Sequence, residues 1–202
     1  MSDIVYFFKN NLYINLTNRC LVKCSYCIKY KWNFKFYGYD LKLKREPTFK
    51  EIIKNLSEKL KKYSDIKEVV FCGYGDPLLR WKEILKISKW IKNNYPGLKI
   101  RINTNGLADE YLKKNENVYE ELKNVVDVVS ISLNAHNERT FKLLHKTNIR
   151  SPFKKIISFI KKSKKYFPEV IITSITHPLV DIKKIKSLSK KLKVKFKERE
   201  YF

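Results

Sequence analysis

An open α/β barrel of six parallel strands, preceded by an N-terminal β-hairpin, is the fold this sequence predicts. Three observations carry that expectation. The apolar period switches repeatedly between strand-like and helix-like along the chain. The two kinds of run alternate, which implies a mostly parallel sheet with right-handed crossovers. The length, 202 residues, falls roughly two βα units short of the about 250 residues of a closed eight-stranded barrel. An open (β/α)6 partial barrel of TIM type fits the count.

Each element has a local reason. Ile4 to Phe8 and Leu12 to Leu16 flank Lys9-Asn10-Asn11 and read as the hairpin. Pro47-Thr48 opens an amphipathic helix with Ile52, Ile53, Leu56 and Leu60 at helical spacing. Glu68 to Cys72 is a short apolar strand ended by Gly73. Leu85, Ile87 and Trp90-Ile91 mark a helix stopped at Pro96-Gly97, and Lys99 to Asn103 is a strand closing on Asn105-Gly106. A third helix is expected from about Asp109 to Leu122, followed by a β-rich run from Val125 to Leu133. Asn137 to His145 is helical, and Ser151-Pro152 starts a helix through Tyr166. Glu169 to Thr176, Asp181 to Leu192 and Val194 to Glu198 complete the series as strand, helix and strand.

The chain is expected to form one domain, 1–202, with residues 28–47 as a lid or insertion. Its 44% hydrophobic and 14% aromatic content excludes disorder. Forty-four Lys plus Arg against twenty Asp plus Glu give a net charge of +24, which favours nucleic acid, a nucleotide or an acidic protein as partner. Nearly all those cations are lysine, Gln is absent and Ala is rare, a pattern also produced by genome-wide bias or thermophilic lysine enrichment. The charge therefore permits nucleic acid without identifying it.

The four cysteines are Cys20, Cys24, Cys27 and Cys72. Three crowd into residues 20–27, a poor layout for a disulfide framework. The N-terminus leads straight into a β-like run with no signal segment, and no apolar stretch approaches the length of a membrane span. A cytoplasmic, reduced protein with no membrane association is expected, its cysteines holding metal or doing redox chemistry. Cys20, Cys24 and Cys27 are spaced Cys-x3-Cys-x2-Cys in a loop leaving a strand. Three thiolates can hold three corners of a four-iron cluster and leave the fourth iron open. Structural zinc wants four ligands, for which Cys72 is the remaining cysteine, so spacing alone leaves both metals open.

Chemistry in parallel α/β folds gathers at the carboxyl ends of the strands. Phe71-Cys72-Gly73-Tyr74-Gly75-Asp76-Pro77 stands at one such end. Glycines there let bare backbone approach a ligand, and Gly75 is expected to need its missing Cβ for that approach; a plain β-turn reads the same way. Asn103-Thr104-Asn105-Gly106 ends the next strand and Ser130-Ile131-Ser132-Leu133-Asn134 the one after. Period-two alternation puts Ser130, Ser132 and Asn134 on one face. A strand covered by helices is normally apolar on both faces, so a polar row asks for a polar ligand or bound water.

Cys-x3-Cys-x2-Cys with Tyr26 just before the last cysteine resembles the signature of the radical S-adenosylmethionine superfamily. The resemblance implies a 4Fe-4S cluster on Cys20, Cys24 and Cys27, with Tyr26 in the wall beside adenine. It also implies S-adenosylmethionine chelated to the open iron by its methionine amine and carboxylate, and reductive cleavage to a 5′-deoxyadenosyl radical that abstracts hydrogen. Gly73, Tyr74, Gly75 and Asp76 are similar to the family's Gly-Gly-Glu-Pro element, which binds the methionine ammonium. Asp76 departs from the usual Glu by one methylene, which puts a direct side-chain contact in doubt. Asn103, Asn105, Ser132 and Asn134 resemble positions that contact the ribose and the methionine carboxylate. Arg199, on the last strand, is expected either to clamp a carboxylate or to pair with Glu198 or Glu200. The run Leu12 to Cys27 with Thr17-Asn18-Arg19, the later loops and Lys197-Glu198-Arg199-Glu200-Tyr201 together resemble the TatD-associated radical SAM proteins. That resemblance implies cofactor chemistry and a low-potential electron donor, and leaves substrate and catalytic residues unassigned.

Tyr30 to Tyr39 alternates aromatic with basic residues, which suits either base stacking or a lid over the cluster. The lysine-rich run from Lys154 to Lys165 reads as an amphipathic helix with a solvated face. His136 and His145 have no identifiable partners, and His177, just past a strand at the active end, is expected to be either a proton donor or an exposed loop residue. Two other functions compete: a rearrangement enzyme like 7-carboxy-7-deazaguanine synthase, and a metal-stabilised RNA-binding protein. The open side of a short barrel is expected to be closed by the aromatic lid, a large anionic substrate or a second subunit in a homodimer.

Overall fold

The computed structural model describes residues 2–112 and 116–201. Strands β1 (Val5–Phe8), β2 (Asn11–Ile14), β3 (Glu68–Phe71), β4 (Lys99–Thr104), β5 (Val128–Ser132), β6 (Glu169–Ile175) and β7 (Lys195–Arg199) form one sheet in sequence order. β1 pairs antiparallel with β2 as the expected hairpin, and every later neighbour is parallel. Helices α1 (Ile28–Lys31), α2 (Phe49–Lys62), α3 (Trp81–Asn94), α4 (Val118–Leu122), α5 (Glu138–Leu144), α6 (Pro152–Tyr166) and α7 (Ile182–Leu192) lie in the connections. Six parallel strands in unbroken sequence order make a singly wound barrel wall rather than a doubly wound sheet. β1 and β7 remain its two edges, so the barrel is open.

Register separates the two faces of this wall. Leu12, Val69, Ile100, Val129, Val170 and Ile172 fall on one face and are buried with Ile52, Ile84, Ile87, Ile156, Ile160 and Ile185 of the helices. Each such side chain contributes about 1.5–3 kcal/mol on burial, so this layer fixes the fold. The opposite, inner face carries Tyr13, Arg101, Asn103, Ser130, Ser132, Thr173, Lys197 and Arg199. Arg101 clasps Glu68 of the neighbouring strand through Nε at 3.0 Å and Nη2 at 2.7 Å and reaches Asn103 Oδ1 at 3.2 Å. The polar row read from Ser130 and Ser132 is one strand's share of a polar barrel interior.

Local chemistry starts three of the helices where expected. Thr48 and Glu51 form a capping box on α2, Asn137 caps α5 and Asp181 caps α7. The third helix differs from its expectation. A 3-10 turn covers Ala108–Glu110 and α4 begins only at Val118; Lys113, Lys114 and Asn115 of the expected helix lie outside the described residues. Asn115-Glu116-Asn117 places polar residues where a continuous helix needs an apolar face, so the run from 109 to 122 lacks one buried stripe.

Residues 28–47 fold back onto the hairpin. Phe36 meets Tyr6 and Phe8 with ring centroids 5.9 and 5.1 Å apart, and Tyr39 meets Tyr6 at 5.4 Å. Leu41 joins Tyr6 and Tyr74 in a second small core. Asn15 Nδ2 donates to the Leu41 carbonyl at 2.8 Å and Asn18 Nδ2 to the Leu43 carbonyl at 2.8 Å. Phe34, Phe36 and Tyr39 are thus consumed in packing, while Tyr30 and Tyr37 stay exposed. Among the described residues no helix is long and apolar enough to cross a membrane.

Candidate active site

Three loops at the carboxyl ends of β2, β3 and β4 are laced together around Cys20. The Asp76 amide donates to the Arg19 carbonyl at 2.8 Å. The buried Asp76 carboxylate accepts from Leu78 N at 3.0 Å, and from Thr104 Oγ1 and Asn105 N at 2.8 Å each. Asn105 Oδ1 accepts from Leu107 N at 2.8 Å, which turns the other end of the amide outward, and Nδ2 donates to Cys20 Sγ at 3.3 Å. Burial pushes the Asp76 pKa up, against the hydrogen bonds from Asn105, Thr104 and Leu78. Asp76, Asn105 and Cys20 therefore converge. Asp76 acts there as a brace within the chain, and its shortness relative to Glu suits that work.

The reason for glycine at position 75 differs from the expected one. A Cβ built there would collide with the Thr17 and Arg19 carbonyl oxygens and lie 2.9 Å from the Arg19 amide nitrogen. Its bare face is filled by the loop that runs from β2 to Cys20. Gly73 is also in close contact, with the buried Asn15 side chain. Tyr74 turns its ring to the lid: its hydroxyl donates to the Lys35 carbonyl at 2.8 Å and its ring meets Phe34 at 5.6 Å.

Cys20, Cys24 and Cys27 are free, half-buried thiols. Burial, followed by the neighbouring Cys20 and Cys27, pushes the Cys24 pKa up to about 12, and burial likewise raises Cys20. Such thiols keep their protons until a metal cation displaces them. Among the described residues no three His, Cys, Asp or Glu side chains converge on a point that could hold one metal ion. A tetrahedral ion with Zn–S bonds of about 2.3 Å needs its sulfurs converging on one point. A four-iron cluster spreads its thiolates over separate corners. Loop spacing and the mutual electrostatic influence of the three thiols fit the larger group.

Tyr26 is held by a residue that sequence reasoning left unpartnered. The Cys24 backbone pairs with His145 in a two-residue antiparallel ladder, Lys23–Cys24 against His145–Lys146. His145 is buried, its Nδ1–H bonds the Phe141 carbonyl at 2.9 Å, and its Nε2 accepts from the Tyr26 hydroxyl. Desolvation lowers the His145 pKa to about 4 and raises that of Tyr26, so both are neutral at ordinary pH. The Tyr26 ring also faces His177 at 6.2 Å, and His177 meets Tyr201 at 4.8 Å. His136 accepts from the Asp181 amide at 3.1 Å and serves the start of α7.

Across the mouth, Arg199 is an exposed edge-strand residue whose guanidinium turns inward. Its Nη2 lies 3.3 Å from Ser132 Oγ and 3.2 Å from Asn134 Oδ1. Asn134 adopts the left-handed region, φ 44°, which asparagine tolerates, and also accepts from Ile175 N at 3.1 Å. The alternative pairing of Arg199 with Glu198 or Glu200 is not formed. Asn103 lies deeper, between Arg101 and the Cys72 thiol, and so stands apart from the Cys20 network. Ser130 is buried on the same face. Tyr26, Cys20, Asn105, Ser132, Asn134 and Arg199 thus line one end of the barrel and gather there hydrogen-bond donors, a cation and an aromatic ring.

A family model for the radical SAM superfamily matches residues 14–192. The tungsten-containing aldehyde ferredoxin oxidoreductase cofactor-modifying protein of Pyrococcus furiosus is 29% identical over 107 residues, 51% of this chain and 26% of that protein. Among solved structures, TYW1 with a lysine-pyruvate adduct bound superposes with a TM-score of 0.65 at 14% identity, over 96% of this chain and 65% of that one. The anSMEcpe structure with bound AdoMet gives 0.66 at 20% identity, over 94% and 49%. Methylornithine synthase gives 0.64 at 15% identity, over 97% and 56%. These structural likenesses show the partial-barrel fold, and the chain spans only part of the length of each of these proteins.

Proposed function

Because the chain belongs to the radical SAM superfamily, we propose that Cys20, Cys24 and Cys27 hold a 4Fe-4S cluster and that the surrounding barrel end binds S-adenosylmethionine. The observation that carries this reading is the lacing of the three strand-end loops through Asp76 and Asn105 onto Cys20. When bound, the two groups supply reductive cleavage of S-adenosylmethionine and hydrogen abstraction from a substrate, with electrons from a low-potential donor. The chain's own side chains position and enclose them. Asn105 places an N–H on one thiolate, favouring its anionic form. Arg199, held by Ser132 and Asn134, presents its guanidinium to the methionine carboxylate. Tyr26, pinned by His145, keeps its ring beside the adenine, and the segment 28–47 closes the hairpin side against water.

The motif run through Arg199 supports a TatD-associated member, and the net charge of +24 supports an anionic substrate. The role of Arg199 is open to direct measurement. A guanidinium–carboxylate hydrogen bond contributes about 1.5–3 kcal/mol, so Arg199→Leu should weaken S-adenosylmethionine binding by about tenfold or more. Equilibrium dialysis of anaerobically reconstituted protein measures this, with iron per chain as control. Equal affinity in the variant and the parent would remove Arg199 from the binding site.

A further inference from the structure

Among the described residues Lys29 is the one buried lysine, at 8% exposure. It sits in α1, two positions after Cys27. Its Nζ donates to the Tyr74 carbonyl at 3.3 Å and lies 4.9 Å from the centroid of the Tyr30 ring. An ammonium has three donors, and among the described residues no carboxylate lies within ion-pair reach of this one. A buried charge without a counter-charge is strongly disfavoured. Cys20 and Cys24 both feel the charge of Lys29, and thiols hold metal in their thiolate form.

We propose that Lys29 is a positioning and redox-tuning residue whose counter-charge is the thiolate-ligated cluster, and that it raises the cluster's reduction potential. The inference rests on the cluster reading above. One-electron reduction, with the electron taken from a low-potential donor such as dithionite, adds a negative charge to a group already carrying three thiolates. A fixed cation at close range stabilises the reduced state more than the oxidised one, and cluster potentials follow net charge, hydrogen bonding and exposure. The carbonyl of Tyr74 holds the ammonium in place, joining the glycine loop to the cysteine loop by a contact that neither motif reveals.

The test is an anaerobic redox titration of reconstituted protein without S-adenosylmethionine, following the signal of the reduced cluster, with iron and sulfide counted per chain. Lys29→Met keeps the apolar stem and removes the charge; it should load iron as the parent does and show a midpoint shifted to more negative potential. Lys29→Arg should return the midpoint toward the parental value. An unshifted midpoint in fully loaded Lys29→Met overturns the proposal, as does lost S-adenosylmethionine affinity with an unshifted midpoint, which would make Lys29 a ligand contact. Should Lys29→Met load poorly, Lys29→Arg decides: recovery of loading and midpoint supports the charge, and equally poor loading makes Lys29 a packing residue. A parental chain that assembles no iron–sulfur chromophore would instead fail the cluster reading itself.

Discussion

Replacing any one of Cys20, Cys24 or Cys27 with alanine should abolish the iron–sulfur chromophore of anaerobically reconstituted protein, while Cys72→Ala keeps it. Each of the three thiols would hold a separate iron, so a loss at one corner is not shared by the others. The remaining pair is too few for a stable cluster. Cys72 follows β3, accepts no role in the loop of residues 20–27, and is bonded to Asn103 on the inner wall. Iron and acid-labile sulfide per chain read the result. Equal iron loss in Cys72→Ala would move Cys72 into the ligand set and break the assignment.

Gly75→Ala should damage both folding and metal loading, a larger effect than a surface glycine would give. The added Cβ meets the backbone carbonyls of Thr17 and Arg19, and backbone cannot swing aside as a flexible side chain can. Overpacking of this kind costs about 1–3 kcal/mol, and relief requires moving the residues that carry Cys20. Gly97→Ala is the matched control. Its Cβ would meet nothing within 4 Å, so its stability in urea should stay level or rise by up to about 1 kcal/mol. A Gly75→Ala protein with parental stability and full iron would show that the glycine loop is free of the cysteine loop.

Much of the wall was legible because hydrophobic periodicity is a local property. Six strands and the hairpin fall within a few residues of their expected places, since Val69, Ile100, Val129 and Ile172 each sit in short β-branched runs bounded by turns. Over the run from 109 to 122, a 3-10 turn at Ala108–Glu110 and α4 from Val118 stand where one helix was expected. Motif positions were legible through spacing, which places Cys20, Gly75, Asn105 and Asn134 at strand ends. What their side chains do was not. The direction in which Gly75 lacks a Cβ depends on where β2 delivers Thr17, a contact across 58 positions of sequence. His145 is joined to Tyr26 over 119 positions. Lys29 is one cation among forty-four Lys plus Arg, and only burial distinguishes it.

The segment from Tyr30 to Tyr39 shows the same limit. Alternating rings and lysines suit stacking on nucleic acid as well as packing on a protein. The structure spends Phe34, Phe36 and Tyr39 on Tyr6, Phe8 and Tyr74, which favours the lid.

The most direct measurement is anaerobic incubation of the reconstituted chain with S-adenosylmethionine and dithionite, followed by quantification of 5′-deoxyadenosine. The account predicts that 5′-deoxyadenosine forms only with reductant present and vanishes in Cys24→Ala. A fully iron-loaded chain that yields none, or a Cys24→Ala variant that cleaves S-adenosylmethionine as the parent does, would contradict it.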